Sequence, residues 1–321
     1  MLIKKLKTNR PSAYIAFFVS ATLFFLFDII INTKPSLASN HPIFSTLASF
    51  FANHYTLSNV LLFIIGLLMA MGWNNALSER VVFKNATIIP AFLFIILSSV
   101  FSLSSFWVCT FILLFVMNKF MLCFQKERPY GLLFDSGFLI GLATVINPIC
   151  IFFFIITYVA IAVYSTINWR NFLIPIIGLS TPFLFVWAYG FYSDNLPVLN
   201  DYYFTSIKWS PPNIDYSFPF LVWSTLLLLL FFFAIRELAL WLTMKSLRSR
   251  KAFYVFFSYS VCAFIGFFFV QDSWNYLLFF TLPFTVLTAN YFIFLEKRWW
   301  YESLFILILI STVYLKLAPL F

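Results

Sequence analysis

The residues of this sequence that could do chemistry are few, and most are carboxylates. Asp28 stands in Phe25-Leu-Phe-Asp-Ile-Ile-Ile31, near one end of a long apolar run. An ionisable group at such a depth is costly in lipid and tends to be functional. As a general base it would activate an acceptor hydroxyl. As an interfacial carboxylate it would only meet headgroup water. Both histidines, His41 and His54, fall in the segment that follows. Neither sits in an H-x-x-x-H or H-x-x-E spacing, so no metal site is expected. His54 next to a cavity would act as a second base; in a solvated loop it would not. Lys34, His41, Lys208, Trp209 and Asp272 complete a candidate substrate-binding set; Lys34 and Lys208 are the cations near these loops, a thin clamp for a phosphate, and Lys208 with His54 would stand near a donor phosphate. Asp194, Asp201 and Asp215 add negative charge nearby, and ordinary loop solvation explains them equally well. Asp135 is expected to pair with Lys126 or Arg128 just before it.

Other chemistries lack their residues. The four cysteines, Cys109, Cys123, Cys150 and Cys262, form no C-x-x-C pair, so neither a disulfide framework nor a zinc site is expected. No phosphate-cradling glycine loop and no G-x-S-x-G elbow occurs, and no cofactor is expected.

The elements that must position these residues are membrane spans. Hydrophobic residues make up 63% of the 321 positions and charged residues 10%. A soluble domain carries roughly 25% charged residues, so lipid must be the outer solvent. Phenylalanine alone supplies 47 residues. They would either line an aromatic lipid cavity or, as expected here, serve as lipid-facing bulk, since Phe suits a helix centre. A span needs about 20 apolar residues, and roughly eleven such segments can be drawn. They lie near Ser12–Ile31, Leu57–Trp73, Ala86–Leu103, Phe106–Phe124, Leu132–Asn147, Ile149–Ile167, Phe172–Tyr192, Phe218–Ile235, Ala252–Val270, Tyr276–Leu295 and Ser303–Leu317. The first is too long for the apolar part of a signal peptide and is read as a retained helix.

The cations give these segments sides. Lys4, Lys5, Lys7 and Arg10 precede the first. Alternate gaps then hold Arg80 and Lys84; Lys119, Lys126 and Arg128; Arg170; Arg236, Lys245, Arg248, Arg250 and Lys251; and Lys297 with Arg298. The opposite side receives Lys34, Lys208 and Lys316. The positive-inside rule therefore puts the N-terminus in the cytoplasm and the C-terminus outside. The formal charge of +9 becomes a topology signal with some attraction to membrane lipids, and no nucleic-acid partner is expected.

Residues 1–321 thus read as one integral membrane domain, an all-α polytopic helical bundle with long outer loops at 33–56 and 193–217. The first loop carries an amphipathic stretch with Ile43, Leu47, Phe50 and Phe51 at helical spacing. Long loops in compact proteins are usually functional or disordered, so the site is expected where the two meet. Gly137-Phe-Leu-Ile-Gly141 is a close-packing signal. Pro148, Pro175, Pro182 and Pro283 would kink or break helices.

Two resemblances follow. Gly137-Phe-Leu-Ile-Gly-Leu-Ala-Thr-Val-Ile-Asn-Pro148, after a basic inner loop and before an aromatic helix, resembles the core helices of GT-C glycosyltransferases over residues 126–164. It implies transfer of a sugar from a polyprenyl-phosphate donor at the outer face. The family's acids lie just after the first helix, where this chain has Asp28 and lacks the customary pair. Asn9-Arg-Pro11, Asp135-Ser-Gly-Phe138 and Trp169-Arg-Asn-Phe-Leu-Ile-Pro175 resemble an uncharacterised family of polytopic inner-membrane proteins of the Bacteroidota. That likeness implies a bacterial inner membrane and names no activity. Three functions stay open: a GT-C-like transferase with Asp28 as base, a non-enzymatic scaffold or subunit of an envelope protein complex, and a lipid or solute carrier.

Overall fold

Backbone groups left unpaired in hydrocarbon are so costly that apolar runs of this kind fold as helices. The computed structural model describes residues 6–7, 11–31, 45–80, 82–83, 87–164, 168–212, 217–294 and 298–317, without the side chains of 29–31, 45–48 and 298. Every element among them is helical. The first half holds α1 (Pro11–Ile31), α2 (Ser45–Asn53), α3 (Tyr55–Glu79), α4 (Ile89–Ser98), α5 (Ser105–Leu122) and α6 (Tyr130–Ile146). A 3-10 turn (Pro148–Phe153) then leads into α7 (Phe154–Tyr164). The second half holds α8 (Trp169–Tyr192), α9 (Leu196–Ser206), α10 (Phe218–Trp241), α11 (Leu247–Phe267), α12 (Ser273–Tyr276), α13 (Leu278–Phe294) and α14 (Arg298–Leu317).

Seven of the described stretches are long and apolar enough to cross a membrane: those of α1, α3, α5, α8, α10, α12–α13 and α14. The protein is a multi-pass membrane protein of all-α class. Each apolar segment read from the sequence overlies a helix, but hydropathy alone draws more spans than meet the length requirement. α4, α6 and the stretch Pro148–Tyr164 are shorter apolar helices. α11 begins with Arg248, Arg250 and Lys251 in its first turns, and it is not among the seven.

The expected span Ala86–Leu103 is not one helix. α4 ends at Ser98, where Ser98 Oγ and Ser99 Oγ donate back to Ile95 O (3.4 Å) and Ile96 O (2.9 Å). Such local bonds compete with the next helical turn. Every residue of α4 is buried, against α1, α3, α13 and α14. Irregular backbone at membrane depth is tolerated when protein surrounds it in this way. At Pro148 the chain also departs from a plain α-helix. Asn147 Oδ1 accepts from Ile149 N (3.3 Å), and the next six residues run as the 3-10 turn. Pro175, Pro182 and Pro283 do not break α8 or α13, which continue through them.

The centre is an aromatic cluster. Phe153 lies 4.8 Å from Tyr259 and 5.0 Å from Phe279, which in turn packs edge-on to Phe106 at 5.5 Å. These rings tie the 3-10 turn, α5, α11 and α13 together. α6 and α8 form the closest seam. A methyl group added at Gly137, Gly141 or Gly178 would strike the carbonyl oxygens of Pro175, Leu179 or Phe134. The expected close packing at Gly137 and Gly141 is therefore present, with α8 as the partner.

Candidate functional site

α10 and α11 are joined through the turn at 242–246, and both pack on α13. Away from that turn they enclose an apolar groove of about 540 Å3. Volumes of roughly 300–1,000 Å3 are usual for small-molecule sites. One wall is a single face of α10: Phe220, Trp223, Ser224, Leu227, Leu228 and Phe231. The opposite wall is a face of α11: Phe257, Ser260, Val261, Phe264 and Phe267. Leu277, Phe280, Thr281 and Phe284 form the floor, with Leu97 and Phe101 behind. Steps of three and four residues put each set on one helix face. Leu97, Phe101 and Trp223 are buried, whereas Leu228, Phe257, Val261 and Phe264 are exposed at the rim. The groove thus opens sideways, where a bilayer would lie.

Its polar atoms are nearly all engaged. Ser224 Oγ donates to Leu221 O (3.2 Å), Ser260 Oγ to Phe256 O (3.1 Å) and Thr281 Oγ1 to Leu278 O (2.6 Å). Trp223 is the exception: its Nε1 is buried and has no hydrogen-bond partner. No charged side chain lines the groove.

The candidates from the sequence lie elsewhere. Asp28 Oδ2 takes a hydrogen bond from Lys316 Nζ at 2.8 Å, with side-chain exposures of 10% and 5%. Lys316 also donates to Phe24 O (2.6 Å), and Asn59 Nδ2 donates to Asp28 O (2.9 Å). Asp28 is therefore half of a buried ion pair joining α1 to α14, and it does not line the groove. Lys34 and His41 lie outside the described residues. His54 is exposed, stacked on Phe50 at 4.6 Å, with Nδ1 2.9 Å from Phe50 O. Lys208 is exposed, and its neighbour Trp209 stacks on Phe268 at 5.5 Å. Asp272 caps α12, accepting from Asn275 N (3.3 Å) and Asn275 Nδ2 (2.8 Å). Trp209 and Asp272 thus belong to the end of the bundle where α11 stops. Asp135 pairs with Lys119 at 2.6 Å, not with Lys126 or Arg128. Lys119 sits in the last turn of α5, which packs directly along α6.

In the second loop, Tyr203 donates its hydroxyl to Val145 O at 3.1 Å. Burial pushes the Tyr202 and Tyr203 phenols up to about 12, so both stay protonated at neutral pH. At the far end of α10, Lys245 donates to Asn290 Oδ1 (2.7 Å) over the ring of Phe294, and burial pushes its ammonium down to about 8. All four cysteines are buried and free. Among the described residues no group of three or more His, Cys, Asp or Glu is placed to hold a metal ion.

Sequence reasoning missed Lys316 as a partner, Trp223, and the groove itself. The signal was present in the i, i+3, i+4 recurrence of aromatic residues on α10 and α11. That recurrence alone does not say whether the face meets lipid, protein or a cavity.

A family model matches residues 12–321. The chain belongs to that family, a family of unknown function (DUF6427). The match to DUF6427 spans every element described above, so the groove and the Asp28–Lys316 pair both lie within the family's region. No curated protein and no solved structure matches this DUF6427 chain.

Proposed function

We propose that this protein is a non-enzymatic, lipid-binding component of the bacterial inner membrane, which holds a hydrocarbon chain of a membrane lipid between α10 and α11. The observation that carries the reading is the groove: about 540 Å3, open sideways, and lined almost wholly by apolar atoms. Such a lining suits a hydrocarbon chain and offers a charged substrate nothing. An inner membrane fits because helical bundles rather than β-barrels populate it. The cation pattern favours an N-terminus inside, which puts the end of the groove nearest Phe220 and Phe267 toward the outer face. A GT-C-like transferase needs an acid poised at its donor. Asp28 is paired with Lys316 and Asp272 caps a helix, which favours the scaffold or carrier over the transferase.

Photolabelling tests this. A phospholipid with a mid-chain diazirine should label Leu228, Phe257 and Phe264 well above Leu184 and Phe185, which are at least as exposed as most of the rim but sit on α8. Ser260→Phe, which fills the groove, should remove the excess. Even labelling of both sets would mean bulk lipid contact and would end the proposal.

A further inference from the structure

Several cations on the face that the charge pattern puts inside are answered by the protein itself. Lys119 pairs with Asp135, Arg80 with Glu79 at 3.5 Å, and Lys245 is held by Asn290. One cluster is not answered. Arg248 and Lys251 stand three residues apart on α11, and both head groups lie over the ring of Phe124, 5.7 and 5.8 Å from its centre. Gln125 turns the chain sharply there, with φ at 60°, and the exposed Lys126 follows it. Among the described residues none of these three cations makes an ion pair, and the exposed Glu127 beside Lys126 joins none of them. Like charges one helical turn apart repel. A freely solvated cluster relieves that by splaying into water. This one is held: Arg248 and Lys251 are half-buried, and Phe124 packs edge-on against Tyr164 of α7 at 6.4 Å. An aromatic face attracts a cation but takes none of its N–H groups away from oxygen acceptors.

We infer that this cluster is a binding site for the headgroup of an anionic membrane lipid. Arg248 and Lys251 grip the phosphate oxygens, and Lys126 adds its charge from the loop. A guanidinium presents a planar fork that matches phosphate, and an ammonium beside it supplies a point charge. The surroundings favour a lipid over a soluble phosphate. Tyr254 and Val261, about one and three turns beyond Lys251 on the same side of α11, are exposed. A cation that ends an exposed apolar stripe of a membrane helix lies at headgroup level, with hydrocarbon beside it. Basic pockets between helices on the cytoplasmic side take headgroups of this kind. Charge selects among them. A zwitterionic headgroup brings its own ammonium, which the cluster repels, whereas phosphatidylglycerol brings the phosphate alone. None of these residues lines the groove, so the site stands whether or not a chain occupies it.

The test uses the full chain in detergent. The probes are phosphatidylglycerol and phosphatidylcholine with the same acyl chains, and binding is read by native mass spectrometry. The protein should prefer phosphatidylglycerol by about 25-fold, roughly fivefold for each gripping cation. Arg248→Gln and Lys251→Gln should each lose about fivefold, and the two together should bind both lipids alike. Arg170→Gln removes an exposed cation that lies over Trp169, outside the cluster, and should change nothing. Ser260→Phe, which fills the groove, should leave the preference intact, so this site and the chain-binding reading fail separately. Equal binding of the two lipids by the unaltered protein overturns the site without needing any variant. A preference that survives the double substitution overturns it, as does an equal loss on Arg170→Gln, which would mean the charge of the whole face. Inorganic phosphate, compared with chloride at equal ionic strength, should not displace the lipid; displacement would make free phosphate the ligand and overturn the assignment.

Discussion

Asp28 shows how little a residue's type reveals without its partner. The acid is conspicuous in the sequence, an ionisable group in an apolar run. Lys316, 288 positions away, completes the pair, and no spacing rule connects residues so far apart. Taking both ions out of water is costly, and the attraction between them offsets that only with good geometry and full hydrogen bonding. Here Lys316 satisfies Asp28 Oδ2 and Phe24 O together, with the ring of Phe25 at 5.5 Å. Removing one partner strands the other. Asp28→Asn should therefore destabilise the protein by about 3–5 kcal/mol, as for other broken buried pairs. Adding Lys316→Met should restore most of the loss. Thermal unfolding in detergent would read both. An Asp28→Asn protein as stable as the unaltered one would show that the pair contributes nothing, and would return Asp28 to the candidates for catalysis.

At the scale of elements, the α6–α8 seam was half legible. G-x-x-x-G at Gly137 and Gly141 marks a face that wants a close neighbour, but it does not name one. The neighbour is α8, whose Gly178 brings its backbone against Phe134 and Phe138. Gly178 is twelve residues from Gly190, the other glycine of its helix, and carries no motif, so the sequence was silent on it. Steric reach separates the glycines by role. Gly178→Ala forces a methyl into backbone of α6 and should cost about 1–3 kcal/mol, as overpacking usually does. Gly72 of α3 has open space around the position of an added methyl. Gly72→Ala should stabilise by up to about 1 kcal/mol, from helix propensity alone. Equal effects at the two positions would mean that α6 and α8 are not in backbone contact. α4 was misread for a related reason. Hydropathy averages over a window and counts apolar content. α4 ends at Ser98, inside a stretch that still scores as apolar.

For the whole molecule the open question is threading. Seven stretches meet the requirement for a span, and if only these crossed, the connection at Lys126–Arg128 would lie outside. So would Lys245, Arg248, Arg250 and Lys251, against the positive-inside rule. Letting the shorter elements cross removes the conflict. α6 is about 25 Å long at the helical rise, close to the roughly 30 Å of a hydrocarbon core. Pro148–Tyr164, part 3-10 and part α, reaches about 28 Å. α4 covers about 15 Å, and the six residues after it can extend up to about 20 Å more. With α11, 21 residues long, crossing as well, about eleven crossings put every large cation cluster on one face. The two threadings disagree at two exposed positions, Glu127 and Asn195. With the shorter elements crossing, a cysteine at Glu127→Cys is cytoplasmic and one at Asn195→Cys is external. Intact cells treated with a membrane-impermeant maleimide should label the second and spare the first until they are permeabilised. The native cysteines are buried and give little background. The reverse pattern would establish the seven-span threading, place the cation clusters outside, and show that packing rather than loop charge decides how this chain sits in its membrane.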